Sequence, residues 1–199
     1  VKYFGKELGE ITLKIPGKHN INNSLVAIVI GTELGVDFKI IKSALESFSG
    51  VYRRFEVKYN KEILVIDDYA HHPTESAATL KGIRDGWDRR LIVVFQPHLY
   101  SRTKDFYQEF SRAFLNSDVF ICTDVYPARE LPIEGVSGDL IASTAKKLGH
   151  KNVHYVADKK EVPPLLNEIK KDGDIIVTMG AGDIWKFGEQ FVAMLKKKK

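Results

Sequence analysis

The sequence has a single cysteine, Cys122, among its 199 residues. One cysteine cannot form a disulfide within the chain, and its place in the apolar stretch VFICTD is typical of a small buried residue. No apolar run reaches the roughly 18 residues that a membrane span needs. The opening VKYFGKELGE also lacks the pattern of a signal peptide. These absences predict a cytoplasmic protein with no membrane partner.

The chain also lacks a strong excess of one charge. Its 30 basic and 26 acidic residues are interspersed, and the one basic run is the terminal KKKK. Because no stripe of basic and aromatic residues accompanies the charge, we do not expect nucleic acid as a partner. The 44% of hydrophobic residues suffices for a sizeable core.

Two nucleotide-binding motifs are missing from the sequence. It has no G-x-x-x-x-G-K-[ST] phosphate loop, and GAGDIW has Trp185 where the third glycine of a G-x-G-x-x-G fingerprint would stand. The chain therefore has no standard motif for binding a triphosphate. It also begins at Val1 rather than methionine, which suggests a piece of a longer protein.

From Ile63 onward, apolar runs alternate with helical patterns. The predicted strands are ILVIDDY, RLIVVFQP, DVFICTDVYP, NVHYVAD and DIIVTMGAG. The predicted helices lie at 73–87, 103–117, 137–149, 161–171 and from 183 to the end. Most of these strands have little polar alternation, as expected for strands that are buried on both faces. The pattern predicts an α/β fold with a doubly wound, mostly parallel sheet over residues 50–199.

The first 49 residues follow a different pattern. VKYF and ITLKI flank a turn that contains glycine and predict a hairpin, and NNSLVAIVIGTELG and DFKIIKSALESFSG predict two helices. In the second helix one apolar stripe is expected, formed by Ile40, Ile41, Ala44, Leu45 and Phe48. A hairpin and two helices make a marginal core, so this segment resembles the end of a larger domain.

Polar clusters follow four of the predicted strands: DDYAHH, QPHLYSR, TDVYPARE and GAGD. In open parallel sheets, ligands bind at the carboxyl ends of the strands. We therefore expect the clusters to form one site. Its candidates are Asp67, Asp68, Tyr69, His71, His98, Tyr100, Arg102, Tyr126, Arg129, Gly180 and Gly182.

Several interpretations of these clusters stay open at this point. Asp67, Asp68, His71 and His98 could hold a metal ion in a stand-alone hydrolase, although consecutive side chains point in different directions. The cleft could also be a binding module without chemistry, for a nucleotide or an amino acid. His72 could simply cap the helix that begins at Pro73.

Two further motifs each have two interpretations. In GKHNINN, Asn20 is a good helix N-cap, but Asn20 and Asn23 share a helix face and could pair with adenine. In YRRFE, Arg53 and Arg54 are either two solvated charges or ligands for phosphate oxygens.

Six motifs in this order resemble the Mur ligases, the ATP-dependent amide-forming enzymes of peptidoglycan precursor synthesis. They are PGKHNINNSLVAI, FSGVYRRFE, DDYAHHPTE, FQPHLYSRT, TDVYPARE and TMGAGDIW. The pair DDYAHHPTE and FQPHLYSRT is more similar to the members that join L-alanine to UDP-N-acetylmuramate than to those that recycle murein tripeptide. The resemblance implies that residues 1–49 are the end of the central ATP-binding domain. It further implies that residues 50–199 are the Rossmann-like C-terminal ligase domain.

The resemblance implies a reaction and a set of roles. A carboxylate attacks the γ-phosphate of ATP, and the amine of L-alanine then attacks the acyl phosphate. His19, Asn20 and Asn23 would contact adenine and Arg54 the phosphates, while Asp67 or Asp68, with Asp67 favoured, would hold the nucleotide. The alanine and the reacting carboxyl group would be surrounded by Tyr69, His71, His98 and Arg102, with Tyr100, Tyr126, Arg129, Gly180 and Gly182 also on the substrate side.

The same resemblance implies that this chain lacks part of the active site. The main Mg²⁺ ligands and the phosphate loop would lie outside it, so it would hold no metal and would be inactive alone. Leu99 departs from the family pattern, in which arginine is common at this position. Arg102 would then contribute more of the carboxylate contact.

Overall fold

The computed structural model describes residues 1–15 and 17–197, without the side chains of Lys18 and His19. These residues form two compact units, Val1–Val51 and Tyr52–Lys199. The boundary predicted from the sequence lies between residues 49 and 50.

The Val1–Val51 unit consists of a short hairpin and two helices. Strands β1 (Lys2–Tyr3) and β2 (Lys6–Glu7) are antiparallel and are followed by α1 (Lys18–Glu33) and α2 (Phe38–Ser47). The prediction that ITLKI forms the second strand is wrong, because Phe4 and Gly5 already reverse the chain with positive φ angles. The ITLKI segment is instead held by a side chain, since the Thr12 amide donates to Glu46 Oε1 at 3.0 Å.

The prediction that Asn20 is the N-cap of helix α1 is wrong. Gly17 is the N-cap, with φ 106°, and no side chain caps the helix. Asn20 lies within the first turn, and its amide donates to the Gly17 carbonyl at 3.0 Å. Of the apolar stripe predicted on α2, Ile41 is buried while Ile40 is 62% exposed.

The Tyr52–Lys199 unit contains a six-stranded sheet. Its strands are β3 (Glu56–Asn60), β4 (Leu64–Asp68), β5 (Leu91–Phe95), β6 (Val119–Thr123), β7 (Val153–Val156) and β8 (Ile175–Met179). Its helices are α3 (Pro73–Gly86), α4 (Tyr100–Phe114), α5 (Gly138–Lys147), α6 (Val162–Ile169) and α7 (Ile184–Lys197). The strand order is β3-β4-β8-β5-β6-β7, and only the pair β3–β4 is antiparallel. The predicted doubly wound, mostly parallel α/β fold is confirmed.

The core lies on both faces of this sheet. Along β5, Leu91, Val93 and Phe95 belong to one apolar cluster, while Ile92 and Val94 belong to the other. The first cluster includes residues of α3, α4 and α5, and the second includes residues of α6 and α7. Burial on both faces explains why the central strands are uninterrupted apolar runs in the sequence.

The position of β8 determines where the polar clusters meet. The chain passes from β4 through α3 to β5, and β8 later fills the space between these two strands. The carboxyl ends of β4, β8, β5 and β6 therefore lie side by side. This is the edge at which open α/β sheets bind ligands.

Candidate ligand site at the carboxyl edge of the sheet

Four rings from three strand ends form a row at this edge. Tyr69 and His71 follow β4, and their ring centroids are 5.2 Å apart. The His71 ring lies 6.1 Å from that of His98, after β5, and His98 stacks on Tyr126, after β6, at 5.7 Å. All four residues are partly exposed. The row therefore brings together predicted site residues from three separate motifs.

Backbone hydrogen bonds connect the loops after β5 and β6. The Tyr126 amide donates to the Pro97 carbonyl at 2.7 Å, and the Leu99 amide donates to the Tyr126 carbonyl at 3.0 Å. Leu99 has φ 73°, an unusual value for a residue with a side chain, and its carbonyl accepts from the amide and the hydroxyl of Thr103. These contacts fix the start of α4, which carries Tyr100 and Arg102.

His98 and Arg102 each keep an unsatisfied polar atom. His98 Nδ1 and Arg102 Nη1 are buried and have no hydrogen-bond partner among the described residues. Burial lowers the pKa of His98, and the positive charge of the Arg102 guanidinium lowers it further. Since buried polar atoms normally have partners, a neutral imidazole beside an unpaired guanidinium suits an anionic group of a ligand.

Glu75, which the sequence did not single out, shapes the loop after β4. Its Oε2 accepts from the amides of His71 and His72 at 3.0 and 3.2 Å. Burial alone would raise the pKa of Glu75, but the His71 amide and nearby positive charges lower it overall. His72 caps α3, with its Nδ1 accepting from the Thr74 amide. The signal for this capping box was present as H-P-T-E.

Asp67 and Asp68 are buried and accept hydrogen bonds within the chain. Asp67 accepts from Arg53 Nε at 2.9 Å and from the Thr178 hydroxyl at 2.7 Å. Asp68 accepts from the Ala70 amide at 2.9 Å and the Thr79 hydroxyl at 3.1 Å. Burial raises the pKa of both carboxyl groups, and these donors oppose the rise. Contact of either aspartate with a nucleotide stays a prediction.

The two adjacent arginines differ in their surroundings. The Arg53 side chain is 8% exposed and paired with Asp67, whereas that of Arg54 is 56% exposed and lies 3.9 Å from Glu75 Oε1. The sequence does not distinguish them, because they are adjacent residues of the same type.

Gly180 and Gly182 pack closely against Gln96, which was not singled out from the sequence. A Cβ on Gly180 would lie 2.5 Å from the Gln96 carbonyl oxygen, and one on Gly182 would lie 2.2 Å from Gln96 Oε1. Gln96 Oε1 also accepts from the Ile184 amide, and Gln96 Nε2 donates to Asp183 Oδ1. The close packing against Gln96 thus explains why neither position has room for a side chain.

Arg129, Asn23 and His19 are the remaining predicted residues. Arg129 is exposed on the loop after β6, next to Glu130, which accepts from the amide and hydroxyl of Ser101. In the Val1–Val51 unit, Asn23 is exposed on α1, and the His19 side chain lies outside the described residues. No group of three His, Cys, Asp or Glu side chains among the residues described could hold a metal ion. The metal-dependent hydrolase thus gains no support from the geometry.

Cys122 is fully buried, and burial raises the pKa of its thiol well above its ordinary value. Within residues 1–15 and 17–197, none of the helices has the length and apolarity to cross a bilayer.

Comparison with known proteins adds sequence relatives. The chain is 50% identical over 195 residues to a UDP-N-acetylmuramate–L-alanine ligase of Geotalea uraniireducens, which covers 98% of this chain and 43% of the relative. It is 49% identical over 194 residues to the protein of the same name in Salinibacter ruber. The chain thus spans less than half the length of these curated relatives.

Solved structures show the same similarity. A UDP-N-acetylmuramate–alanine ligase of Thermotoga maritima superimposes with a TM-score of 0.84 at 31% identity, over 98% of this chain and 42% of that one. A murein peptide ligase of Psychrobacter arcticus gives 0.66 at 26% identity, over 93% and 38%. The sequence profile described as "Mur ligase, glutamate ligase domain" matches residues 53–182, and the chain belongs to the Mur ligase family.

Proposed function

We propose that this chain provides the amino-acid-binding part of an ATP-dependent ligase that joins L-alanine to UDP-N-acetylmuramate. The observation that carries the proposal is that Arg102 Nη1 and His98 Nδ1 are both buried and have no hydrogen-bond partner among the described residues. A guanidinium is the group best suited to bind a carboxylate with two parallel hydrogen bonds. The relatives named above support the choice of L-alanine and of the nucleotide sugar.

In the proposed reaction, Arg102 binds the carboxylate of L-alanine. The carboxylate of UDP-N-acetylmuramate attacks the γ-phosphate of ATP, which displaces ADP and gives an acyl phosphate. The amine of L-alanine then attacks the acyl carbon, forms the amide bond and releases inorganic phosphate. The attacking amine must be neutral, so a hydrogen-bond acceptor near it is required. This chain's part of the chemistry is the positioning of the amino acid and the acceptance of its proton.

We assign the acceptance of that proton to His71. Its Nδ1 lies 3.0 Å from the Tyr69 carbonyl oxygen, which can only accept a hydrogen bond. Nδ1 therefore carries the hydrogen, and the lone pair of a neutral His71 is on Nε2. His98, whose pKa is lowered by burial, is a second neutral acceptor in the same row of rings.

The remaining site residues complete the proposal. Tyr69, Tyr100, Tyr126, Arg129, Gly180 and Gly182 are assigned to the substrate side. Arg54 is exposed and lies 5.8 Å from the Tyr69 ring centroid, and we assign it to the ATP phosphates. His19, Asn20 and Asn23 are assigned to adenine.

The resemblance favoured Asp67 for the nucleotide contact at the end of β4, whereas we now propose Asp68. Asp68 is 6% exposed, Asp67 is 1% exposed, and Asp67 is already paired with Arg53. Among the residues described, no three His, Cys, Asp or Glu side chains lie close enough together to hold a metal ion. We therefore assign the main Mg²⁺ ligands to parts of the ligase outside this chain.

Titration of the chain with L-alanine, followed by NMR of the histidine and tyrosine rings, tests the proposal. We expect shifts at His71 and His98, and an affinity that falls about tenfold or more in Arg102→Ala, because a charge-assisted pair is lost. Arg112→Ala is the matched control, since Arg112 lies on the same helix and is exposed. Equal affinity in both variants would argue against the site.

A competition titration with murein tripeptide and L-alanine distinguishes the proposed function from its main alternative, a ligase that recycles murein tripeptide. Such an enzyme must bind a tripeptide through its N-terminal L-alanine, so its site extends beyond a single amino acid. We expect free L-alanine to compete fully with the tripeptide for one site. Tight tripeptide binding that L-alanine does not displace would favour the recycling activity.

A further inference from the structure

The Arg53 side chain donates hydrogen bonds to two separate segments of the Tyr52–Lys199 unit. Nε donates to Asp67 Oδ2 at 2.9 Å, Nη2 to the Gly180 carbonyl at 2.6 Å, and Nη1 to the Gly182 carbonyl at 3.1 Å. Arg53 is only 7% exposed. Every nitrogen of this guanidinium is therefore used inside the chain, at the end of β4 and in the loop between β8 and α7.

The backbone of Arg53 adds contacts to the same region. Its carbonyl accepts from the Tyr69 amide at 2.6 Å, and its amide donates to Glu56 Oε2 at 2.9 Å. The guanidinium carbon lies 5.0 Å from the centroid of the Tyr69 ring. Arg53 has φ 57°, which a non-glycine residue adopts when its surroundings impose it.

The targets of these contacts are residues of the candidate site. Tyr69 begins the row of rings, and Gly180 and Gly182 belong to the loop that packs on Gln96 beside Tyr126. Gln96 holds the other end of this loop through the Ile184 amide. Arg53 and Gln96 thus fix the loop from two sides.

We propose that Arg53 is a positioning residue, which holds Tyr69 and the 180–182 loop in the arrangement that receives the ligand without touching the ligand itself. The inference rests on the proposed function, because that function makes these residues part of a ligand site. It depends on the forked shape of the guanidinium as well as its charge. A lysine could neutralise Asp67 but could not reach both carbonyls at once.

Amide hydrogen exchange of the whole chain tests the positioning without any ligand. Arg53→Gln and Arg53→Lys are compared with the wild type and with Arg112→Gln, a matched control at an exposed arginine. We expect the Tyr69 and Gly180 amides, which donate to Arg53 and Asp68 carbonyls, to exchange at least about tenfold faster in both Arg53 variants. Exchange in β5 and β6 should stay unchanged.

Two results would overturn the inference. Unchanged exchange at Tyr69 and Gly180 would show that Arg53 does not hold these segments. If both variants exchanged amide hydrogens faster throughout the sheet, and as much in β5 and β6 as at Tyr69 and Gly180, Arg53 would be a general stabilising residue.

A second measurement connects the positioning to the ligand. L-alanine should bind Arg53→Lys about tenfold more weakly than the wild type, because misplaced binding groups lose affinity. Equal affinity despite a loosened loop would overturn the proposed link. If the wild type binds no L-alanine, the proposed function fails, and the exchange rates still decide whether Arg53 positions the loop.

Discussion

His150 forms a buried hydrogen-bond network at the end of the sheet opposite the candidate site. Its Nδ1 accepts from the Asn152 amide at 3.2 Å, so Nε2 carries the hydrogen and donates to the Ser117 hydroxyl at 3.1 Å. The hydroxyl in turn donates to the Phe114 carbonyl at 2.7 Å. This arrangement requires a neutral imidazole, and Ser117 is not activated as a nucleophile. Burial lowers the pKa of His150.

A pH dependence of stability follows from the lowered pKa of His150. The unfolded chain binds the proton near the ordinary pKa of 6.5, and the folded chain binds it only at lower pH. The stabilising contribution is therefore fully present above pH 6.5 and is lost as the pH falls through the folded pKa. We expect His150→Gln to lose less unfolding free energy than the wild type on acidification.

Urea unfolding at a series of pH values checks this expectation. Tryptophan fluorescence reports on the Tyr52–Lys199 unit, because Trp87 and Trp185 both lie in it. His154→Gln, in β7, serves as the control. Parallel pH profiles for the wild type and His150→Gln would contradict the account.

Gly182 gives a second prediction at the scale of a single residue. A Cβ there would lie 2.2 Å from Gln96 Oε1 and 2.9 Å from Tyr126 Cβ. We expect Gly182→Ala to lower the free energy of unfolding by about 1–3 kcal/mol, as overpacking generally does. In Gly86→Ala, where a Cβ meets nothing within 4 Å, the change should be neutral or slightly stabilising. Urea unfolding compares the two, and equal stabilities would refute the crowding argument.

At the scale of elements, helix α4 is fixed by its aromatic side chains. Phe114 is fully buried, and its ring centroid lies 4.7 Å from that of Phe95 on β5 and 4.4 Å from that of Phe120 on β6. The neighbouring Leu115 is 40% exposed. Phe114 thus packs against two strands, while Leu115 contributes little to the core.

Truncation at these two positions should have very different effects. We expect Phe114→Ala to lower the unfolding free energy by about 3–5 kcal/mol, because a large buried ring is removed and leaves a cavity. Leu115→Ala should change it by about 0.5 kcal/mol or less, as is usual at exposed sites. Chemical unfolding measures both, and similar losses would show that α4 packs differently.

The elements show which features of the fold were predictable from sequence. The five parallel strands were, because burial on both faces makes them apolar runs such as LIVVF in β5. Strand β3 was missed, since EVKYN is an edge strand with polar residues and only Tyr59 buried. The insertion of β8 between β4 and β5 depends on a crossover that leaves no local pattern in the sequence.

The candidate site was predictable to a similar extent. That the clusters meet at one edge follows from the parallel strands, and the structure places Tyr69, His71, His98 and Tyr126 in one row. The partners of Asp67 and the difference between Arg53 and Arg54 were not predictable, because they depend on tertiary hydrogen bonds. The H-P-T-E capping box was visible in the sequence and could have indicated Glu75.

At the scale of the whole molecule, the chain contains two compact units and no phosphate-loop motif. We therefore expect the purified chain to release no phosphate from ATP in the presence of L-alanine and UDP-N-acetylmuramate, since its sequence lacks the phosphate-loop motif that holds the β- and γ-phosphates. A phosphate assay checks this, with heat-denatured chain as the control. Release that depends on L-alanine and exceeds this control would show that the chain is a ligase by itself.

The proposed function depends on one contact at this edge of the sheet, between the carboxylate of the bound amino acid and Arg102. An experimental structure of the chain with UDP-N-acetylmuramoyl-L-alanine tests it most directly. We expect the alanine carboxylate to lie within hydrogen-bonding distance of the Arg102 guanidinium and next to His98. A bound alanine whose carboxylate lies elsewhere, with Arg102 still unpaired, would contradict it.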